Sequence, residues 1–138
     1  MALPEVRNYT LTMNKLDKWA AASRNVIPYQ KALGDKINSK PDPPANLPHT
    51  MEAMANWTRK HYPTHVQLVE RAGITFKEYL IISFALSAAT AVSAMAERGV
   101  QPPQGTFINK ENVQFVKTNK EKITAMYAEF QNLLVGRK

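Results

Sequence analysis

The sequence predicts an all-α fold, a single domain that resembles a four-helix bundle. Three observations support this prediction. The stretch Tyr79–Ala96 has no charged side chain between Glu78 and Glu97, which is typical of a helix packed on every side. The segments before and after it repeat apolar residues at helical spacing. No segment of useful length alternates polar and apolar residues as a β-strand would.

The length and composition fit one domain that covers residues 1–138. An apolar content of 44% and a charged content of 21% are ordinary for a soluble globular protein. The chain has no cysteine, which excludes disulfides, thiolate metal sites, iron–sulfur clusters, covalently attached haem and cysteine nucleophiles. Residues 1–11 are expected to form an N-terminal extension that precedes the helices.

The first helix is predicted to begin at Thr12 or Asn14 and to end near Ile37. Its apolar residues recur at helical spacing and include Leu16, Trp19, Ala20, Val26, Ile27 and Leu33. Pro28 lies inside this segment. Because proline lacks an N–H group and its ring crowds the preceding turn, we expect a kink near Asn25.

A proline-rich connection and a second helical region follow. Residues 38–48 contain four prolines, a composition that favours an extended segment. The second helix is predicted to begin near Pro48–Thr50 and to be broken by Pro63. The residue before a proline disfavours helical geometry, so the region should either kink at Tyr62 or restart with Pro63 at the first helical position and continue to Gly73.

The central helix is predicted to cover about residues 76–97. Thr75 and Glu78 have the spacing of a capping box, and Gly99 supplies the stop. The 18 residues of Tyr79–Ala96 reach the lower limit of the roughly 17–25 residues that span a membrane. We nevertheless expect a buried helix and no transmembrane span. The stretch contains four hydroxyl side chains, no polybasic cluster flanks it, and no second span accompanies it.

The last helix follows a second irregular connection, residues 99–108, which contains Pro102 and Pro103. Asn109 is predicted to cap one long helix that has a polar interruption near Asn119 and Lys120. Its apolar stripe comprises Val113, Val116, Ile123, Met126, Tyr127, Phe130, Leu133 and Leu134. This stripe predicts a helix that packs on the opposite side of the domain from the first one.

One side of the central helix is a candidate ligand site. Ser83, Ser87, Thr90 and Ser93 follow one another at spacings of four, three and three, so their hydroxyls lie along one side of the helix. They either line a pocket or bond back to the carbonyls of their own helix. The candidate residues for binding a small apolar ligand are Tyr79, Ser83, Ser87, Thr90 and Tyr127.

The candidate metal or haem ligands are His61 and His65, because a spacing of four places two imidazoles on one helical face. Pro63 lies between them, and two histidines at the surface or at a helix end are the other interpretation. The sequence has no Glu-x-x-His, no nucleophile elbow and no glycine-rich phosphate loop. We therefore expect no cofactor and a non-catalytic binding or structural role, with a histidine-dependent hydrolase or lyase as the alternative.

The net charge of +7, with a pI near 9.7, is concentrated in the terminal segments. Residues 1–40 hold seven Lys and Arg against three Asp and Glu, and residues 109–138 hold six against three. The cations are scattered singly, apart from the pairs Arg59-Lys60 and Arg137-Lys138. This pattern predicts weak, salt-dependent contacts with anionic material and no sequence-specific binding of nucleic acid.

Three segments carry a resemblance. They are the opening helix around Leu16, Trp19 and Ala20, the turn Ala72–Tyr79 into the alanine-rich helix, and the start of the last helix at Asn112–Val116. With these the chain resembles a group of small, uncharacterised exported bacterial proteins. The resemblance implies export to the periplasm or beyond and lends no activity.

The first residues leave the location open. The segment Met1–Asn8 mixes Glu5 with Arg7 and contains Pro4, so it lacks the apolar core of a signal peptide. A cytoplasmic location is therefore the alternative to the periplasmic or secreted one, and the oligomeric state stays open at this stage.

Overall fold

The computed structural model describes residues 4–34, 46, 50–104 and 108–135, and all regular structure within these ranges is helical. The prediction of an all-α fold is confirmed. The described part contains seven helices rather than the four of a simple bundle. They are α1 (Pro4–Arg7), α2 (Met13–Gly34), α3 (Met51–His61), α4 (Pro63–Glu70), α5 (Phe76–Glu97), α6 (Lys110–Thr118) and α7 (Lys120–Val135).

The N-terminal residues belong to the domain. Within the predicted N-terminal extension, α1 packs against α5, and the side chains of Val6 and Leu11 are buried. Asn112, itself buried, explains the attachment. Its side-chain oxygen accepts from the Leu11 N–H at 2.8 Å and its amide nitrogen donates to the Tyr9 carbonyl at 2.7 Å. A buried amide with its partners satisfied fixes this segment in one position.

The first predicted helix corresponds to α2. Thr12 precedes it and accepts from the Lys15 N–H at 3.3 Å, which agrees with the predicted start. The helix continues through Pro28 as one element to Gly34. Its predicted end at Ile37 lies outside the described residues, as does the proline-rich connection except for Asn46.

The second helical region is divided at Tyr62, and Pro63 occupies the first position of α4. Of the two predicted outcomes, a kink at Tyr62 or a new helix that starts at Pro63, the second is confirmed. Arg59 on α3 binds the Glu70 carboxylate at the end of α4 through both of its terminal nitrogens, at 3.3 and 3.2 Å. The same carboxylate accepts from the Phe76 N–H at 3.1 Å. Glu70 thus joins α3, α4 and the first turn of α5.

The ends of α5 follow local sequence signals. The Thr75 hydroxyl accepts from the Glu78 N–H at 3.1 Å, while the Glu78 carboxylate accepts from the Tyr9 hydroxyl at 2.8 Å. The hydrogen bond that the threonine contributes to a capping box is thus formed, while the Glu78 carboxylate binds Tyr9. Gly99 has φ +70°, and the N–H groups of Gly99 and Val100 donate back to carbonyls of the last turn. This pattern is a Schellman motif, which requires the left-handed conformation that glycine adopts freely.

The predicted long last helix is two helices, α6 and α7. Asn109 caps α6 as predicted, accepting from the Asn112 N–H at 3.1 Å. Asn119 ends it, because its side-chain amide and its backbone N–H both donate to the Phe115 carbonyl. An asparagine that bonds locally in this way offers the backbone an alternative to continued helix.

The core lies between α5 and the helices α1, α2, α3, α4 and α6, while α7 packs mainly against α2. The largest fully buried side chains are Leu16, Val26, Met51, Val66, Val69, Ile82 and Leu86. Each such side chain contributes roughly 1.5–3 kcal/mol by its removal from water.

The central helix is not packed on every side, so that expectation was wrong. Only 33% of its most apolar 18-residue window is buried, and Phe84 is 45% exposed. By length and composition alone, α5 is the one helix in the described part that could cross a membrane. The physical reason for the error is that alanine and serine are small. Exposing them in water costs little, so a charge-free helix does not have to be enclosed.

Candidate functional site

Trp19 on α2 packs against the side of α5 that was predicted to bind a ligand, and it contacts several of the predicted ligand residues. Its indole N–H donates to the Ser83 hydroxyl at 2.8 Å, and that hydroxyl donates to the Tyr79 carbonyl at 2.9 Å. The Trp19 and Tyr79 rings stack with their centroids 6.2 Å apart. Ser83 therefore bonds back to its own helix, as one of the two interpretations expects, and also accepts from a side chain of the neighbouring helix.

The two tyrosines of the predicted site both contact Trp19. The Tyr79 hydroxyl lies 3.1 Å from the hydroxyl of buried Ser23, and Tyr127 approaches Trp19 edge-on at 6.2 Å between centroids. Burial raises the pKa of both tyrosines. The structure thus brings together Tyr79, Ser83 and Tyr127. Sequence reasoning placed Trp19 in the helix but missed its place in this cluster, although a buried indole needs an acceptor for its N–H.

Ser87 and Thr90 complete the predicted ligand set. Ser87 is exposed. The Thr90 hydroxyl oxygen is buried and has no hydrogen-bond partner within the described part of the chain. An unpaired buried hydroxyl is costly, so Thr90 differs from the rest of this set in having a buried polar atom that the protein's own bonds do not satisfy.

Two cavities lie elsewhere. An apolar pocket of about 40 Å³ lies between α1, α5 and α6 and is lined by Ala85, Ala88, Val92 and Ile108, among others. It has room for a few water molecules but is far below the roughly 300–1,000 Å³ of ordinary ligand pockets. A groove of about 370 Å³ runs between α2 and α7. None of the predicted ligand residues lines either cavity.

The two histidines belong to different helices. His61 is the last residue of α3 and lies against Trp57 at 4.7 Å between ring centroids. His65 on α4 contacts Tyr29 and Phe76 edge-on at 6.1 and 5.4 Å, and burial lowers the pKa of His65. No group of three potential metal-binding side chains occurs among the residues that the structure describes. This geometry suits His65 as a neutral aromatic packing residue.

The basic terminal segments pair many of their charges across helices. Arg24 on α2 binds Glu129 on α7 at 2.7 Å, and Lys122 on α7 binds Asp17 on α2 at 2.9 Å. The Glu129 interaction raises the pKa of the Arg24 guanidinium. Both pairs are about half exposed, so each contributes at most about 1 kcal/mol. They orient α7 on α2 rather than form a concentrated anion site.

The exposed side of α5 is the feature that sequence reasoning missed. Its residues recur every three or four positions, which places them on one side of the helix, and none is charged. We call this surface the α5 face, and it comprises Leu80, Phe84, Ser87, Ala88, Ala91 and Met95. Phe84, Ser87, Ala88 and Ala91 are exposed, and Leu80 and Met95 are half-buried. A projection of the sequence around the helix axis could have grouped these residues, but not shown that they face outwards.

Comparison of the chain with protein-family models, with curated proteins and with solved structures finds no match. The resemblance to exported bacterial proteins stays a prediction. The described part of the chain offers three candidate sites, which are the Trp19 cluster, the two histidines and the α5 face.

Proposed function

We propose that this protein has a non-catalytic binding role and that it acts by contacting another protein surface through the α5 face. The observation that carries this proposal is the uncharged outer side of α5 with a 45% exposed Phe84 near its middle. From Leu80 to Met95 the face is about 22 Å long, at about 1.5 Å per residue. An exposed, uncharged and mostly apolar helix side of this kind is typical of an interaction site.

The opposite side of α5 makes this face rigid. Ile82 and Leu86 are fully buried, and Ala89 is buried as well, so the helix is held by neighbours along its length. A surface that is already ordered loses little conformational entropy on binding. An aromatic side chain on a rigid helix and small residues beside it are suited to the centre of an interface.

The candidate chemical groups have internal partners, which supports a role without catalysis. The Trp19 N–H and the Ser83 hydroxyl bond to each other, and the His65 ring lies between Tyr29 and Phe76. A general base needs hydrogen-bond reach to a substrate proton. His65 instead contacts two aromatic rings edge-on, so the histidine-dependent alternative is the weaker proposal.

The test is photo-crosslinking from the middle of the face. A benzophenone amino acid would replace Phe84 in one variant and Ala128, an exposed residue of α7, in the control. The proposal expects a discrete covalent adduct from position 84 that is absent from position 128. It also expects Ala88→Glu, introduced on the same face, to abolish the adduct. Equal yields at the two positions would contradict the proposal.

A second proposal is that the protein carries a small apolar molecule beside Ser83, Ser87 and Thr90. The unpartnered Thr90 hydroxyl favours it, since the polar group of an otherwise apolar ligand, such as a fatty acid, could supply the missing hydrogen bond. Native mass spectrometry of protein purified from cells, with an absorption scan for haem, tests this proposal. A retained mass that Thr90→Val removes would support it. A clean protein mass, no visible absorption and no thermal shift with fatty acids or haem would refute it.

A further inference from the structure

We infer that α1 is an autoinhibitory flap that opens about Tyr9, and that its opening enlarges the apolar surface beside the α5 face. The inference rests on the proposed function and adds a regulation to the same surface, because the closed α1 keeps a partner from one border of α5. It is supported by a firmly held hinge, a weakly held helix and an unfilled cavity beneath that helix.

The residues that follow α1 are firmly held and form the hinge. The Asn112 side chain, which is 2% exposed, bonds to the Tyr9 carbonyl at 2.7 Å and to the Leu11 N–H at 2.8 Å. The Tyr9 hydroxyl donates to the Glu78 carboxylate at 2.8 Å, and the Leu11 side chain is buried. Breaking these contacts would leave a buried amide without partners, which is costly. A movement of α1 should therefore stop at Tyr9.

The helix α1 itself is weakly held. It has four residues, and Val6 is the one buried side chain among them. Pro4 and Arg7 are exposed and Glu5 is half-buried, so their polar contacts are weakened by water. Glu5 pairs with Lys77 at 3.2 Å in this exposed setting, and such surface pairs add little to stability. A single helical turn is not stable without packing, so α1 depends mainly on Val6 to stay closed.

The space beneath α1 is not completely filled. Val6 lines the apolar cavity of about 40 Å³ that lies between α1, α5 and α6. Ala85, Ala89 and Val113 line it from the other two helices, and all three are buried. Side chains beside an unfilled gap lose dispersion contacts on that side. Val6 therefore gains less from its burial than a completely packed valine would.

The cavity borders the α5 face. Ala88 belongs to both, since it lines the cavity and is exposed on the face. When α1 moves away, the cavity and the face become one apolar surface that also includes Ala85 and Ala89. A partner that contacts these added residues binds the open form alone, so its apparent affinity is reduced by the fraction of molecules that are open. The closed α1 is thus an autoinhibitory contact.

Alkylation of single cysteines in the purified protein tests the flap, because the chain has no cysteine of its own. Ala85→Cys places a thiol beside α1. The matched control is Ala22→Cys on α2, which is 0% exposed and does not line the cavity. Iodoacetamide reacts with a buried thiol only when the protein opens, and each rate is normalised to that of the chain unfolded in urea.

Position 85 should be alkylated about ten times faster than position 22 or more, because a local opening costs less free energy than global unfolding. Mass spectrometry measures both rates, and circular dichroism shows whether the variants are folded. Equal rates would mean that global unfolding exposes both thiols, and they would overturn the inference.

Val6→Ala removes the buried side chain of α1. It should accelerate alkylation at position 85 about tenfold, since it deletes apolar contacts that hold the closed form, and leave the rate at position 22 unchanged. Equal acceleration at the two positions would show that α1 opens only with the rest of the domain, which contradicts a flap.

Hydrogen exchange of the wild type locates the hinge without any substitution. The Leu11 N–H bonds to Asn112, whereas the Asn8 N–H bonds to the Pro4 carbonyl at 3.0 Å within α1. The Asn8 N–H should therefore exchange much faster than the Leu11 N–H. Equal protection of the two groups would contradict a hinge at Tyr9.

The photo-crosslinking experiment tests the regulation separately. At limiting partner concentration, Val6→Ala should raise the yield of the adduct from position 84. An unchanged yield would overturn the regulation and leave the interaction role intact. Equal yields from positions 84 and 128 would refute the proposed function, and the regulation with it. Faster alkylation of position 85 would still establish the flap, because that experiment needs no partner.

Discussion

Trp19 and Ser83 form the contact whose energetics are most directly testable. Ser83→Ala would leave the indole N–H buried without an acceptor, which costs about 1–3 kcal/mol of the free energy of unfolding. Trp19→Phe removes that donor and some packing together. Because the two residues share one hydrogen bond, the double variant should lose less than the sum of the single losses. Urea denaturation measures all three, and strictly additive losses would show that the contact contributes nothing.

His65 gives the fold a dependence on pH. Burial lowers the pKa of His65, so the unfolded chain binds a proton at a higher pH than the folded protein does. The contribution of neutral His65 is therefore complete above its unfolded pKa of about 6.5 and is lost as pH falls through the folded value. Replacing His65 with phenylalanine, which fits between Tyr29 and Phe76, should reduce the loss of stability between pH 7 and pH 5.

The matched control for this prediction is His61→Phe, since His61 lies at the end of α3 beside Trp57. Thermal melts of the wild type and both variants across this pH range provide the comparison. If His65→Phe were to lose as much stability on acidification as the wild type, burial of a neutral imidazole would not be the cause.

At the scale of elements, α5 should tolerate charge on one side and not on the other. Ala89 is 4% exposed and Ala91 is exposed. Ala89→Lys places an unpaired charge in the core, at a cost of several kcal/mol that is comparable with the stability of a whole domain. Ala91→Lys should keep the helical circular dichroism signal and the thermal stability of the wild type, because position 91 is exposed. Loss of the signal in both variants would mean that α5 is enclosed after all.

Helix starts were predictable from sequence because their causes are local. Thr75 and Asn109 each cap the helix that follows through an N–H three residues along the chain, and Pro63 begins α4 because its ring fixes a suitable backbone angle. The attachment of α1 was not predictable in the same way. It depends on Asn112 meeting Leu11 from 101 positions away in the chain, and sequence patterns do not encode such distances.

The same distinction between local causes and contacts from distant segments applies to the candidate sites. The helical spacing of Ser83 and Tyr79 was enough to place them on one side of α5, but the side chain that meets them, Trp19, comes from α2. The α5 face was missed because composition gives the apolar content of a helix and not the positions of its neighbours. Which side of α5 stays open is decided by where α2, α3 and α6 pack.

For the whole molecule, the net charge of +7 predicts salt-dependent contacts with anionic material. Long-range attraction between exposed charges falls off once the Debye length shrinks to about 10 Å at 0.1 M salt. Retention on heparin should therefore be weak and should disappear as salt is raised. Removal of the Arg24–Glu129 ion pair by Glu129→Gln should strengthen retention, because it frees Arg24. Retention that does not change with salt would contradict a purely electrostatic contact.

Fluorine NMR of the purified protein measures the solvent exposure of position 84, on which the proposed interaction role depends. A trifluoromethyl-phenylalanine at this position reports exposure through the relaxation caused by a soluble gadolinium complex. In the free protein the label should be strongly relaxed, since Phe84 is 45% exposed. A label at Phe76, which is 2% exposed, should be protected throughout. A label at position 84 that is protected as strongly as the label at position 76 would show that the α5 face is not exposed.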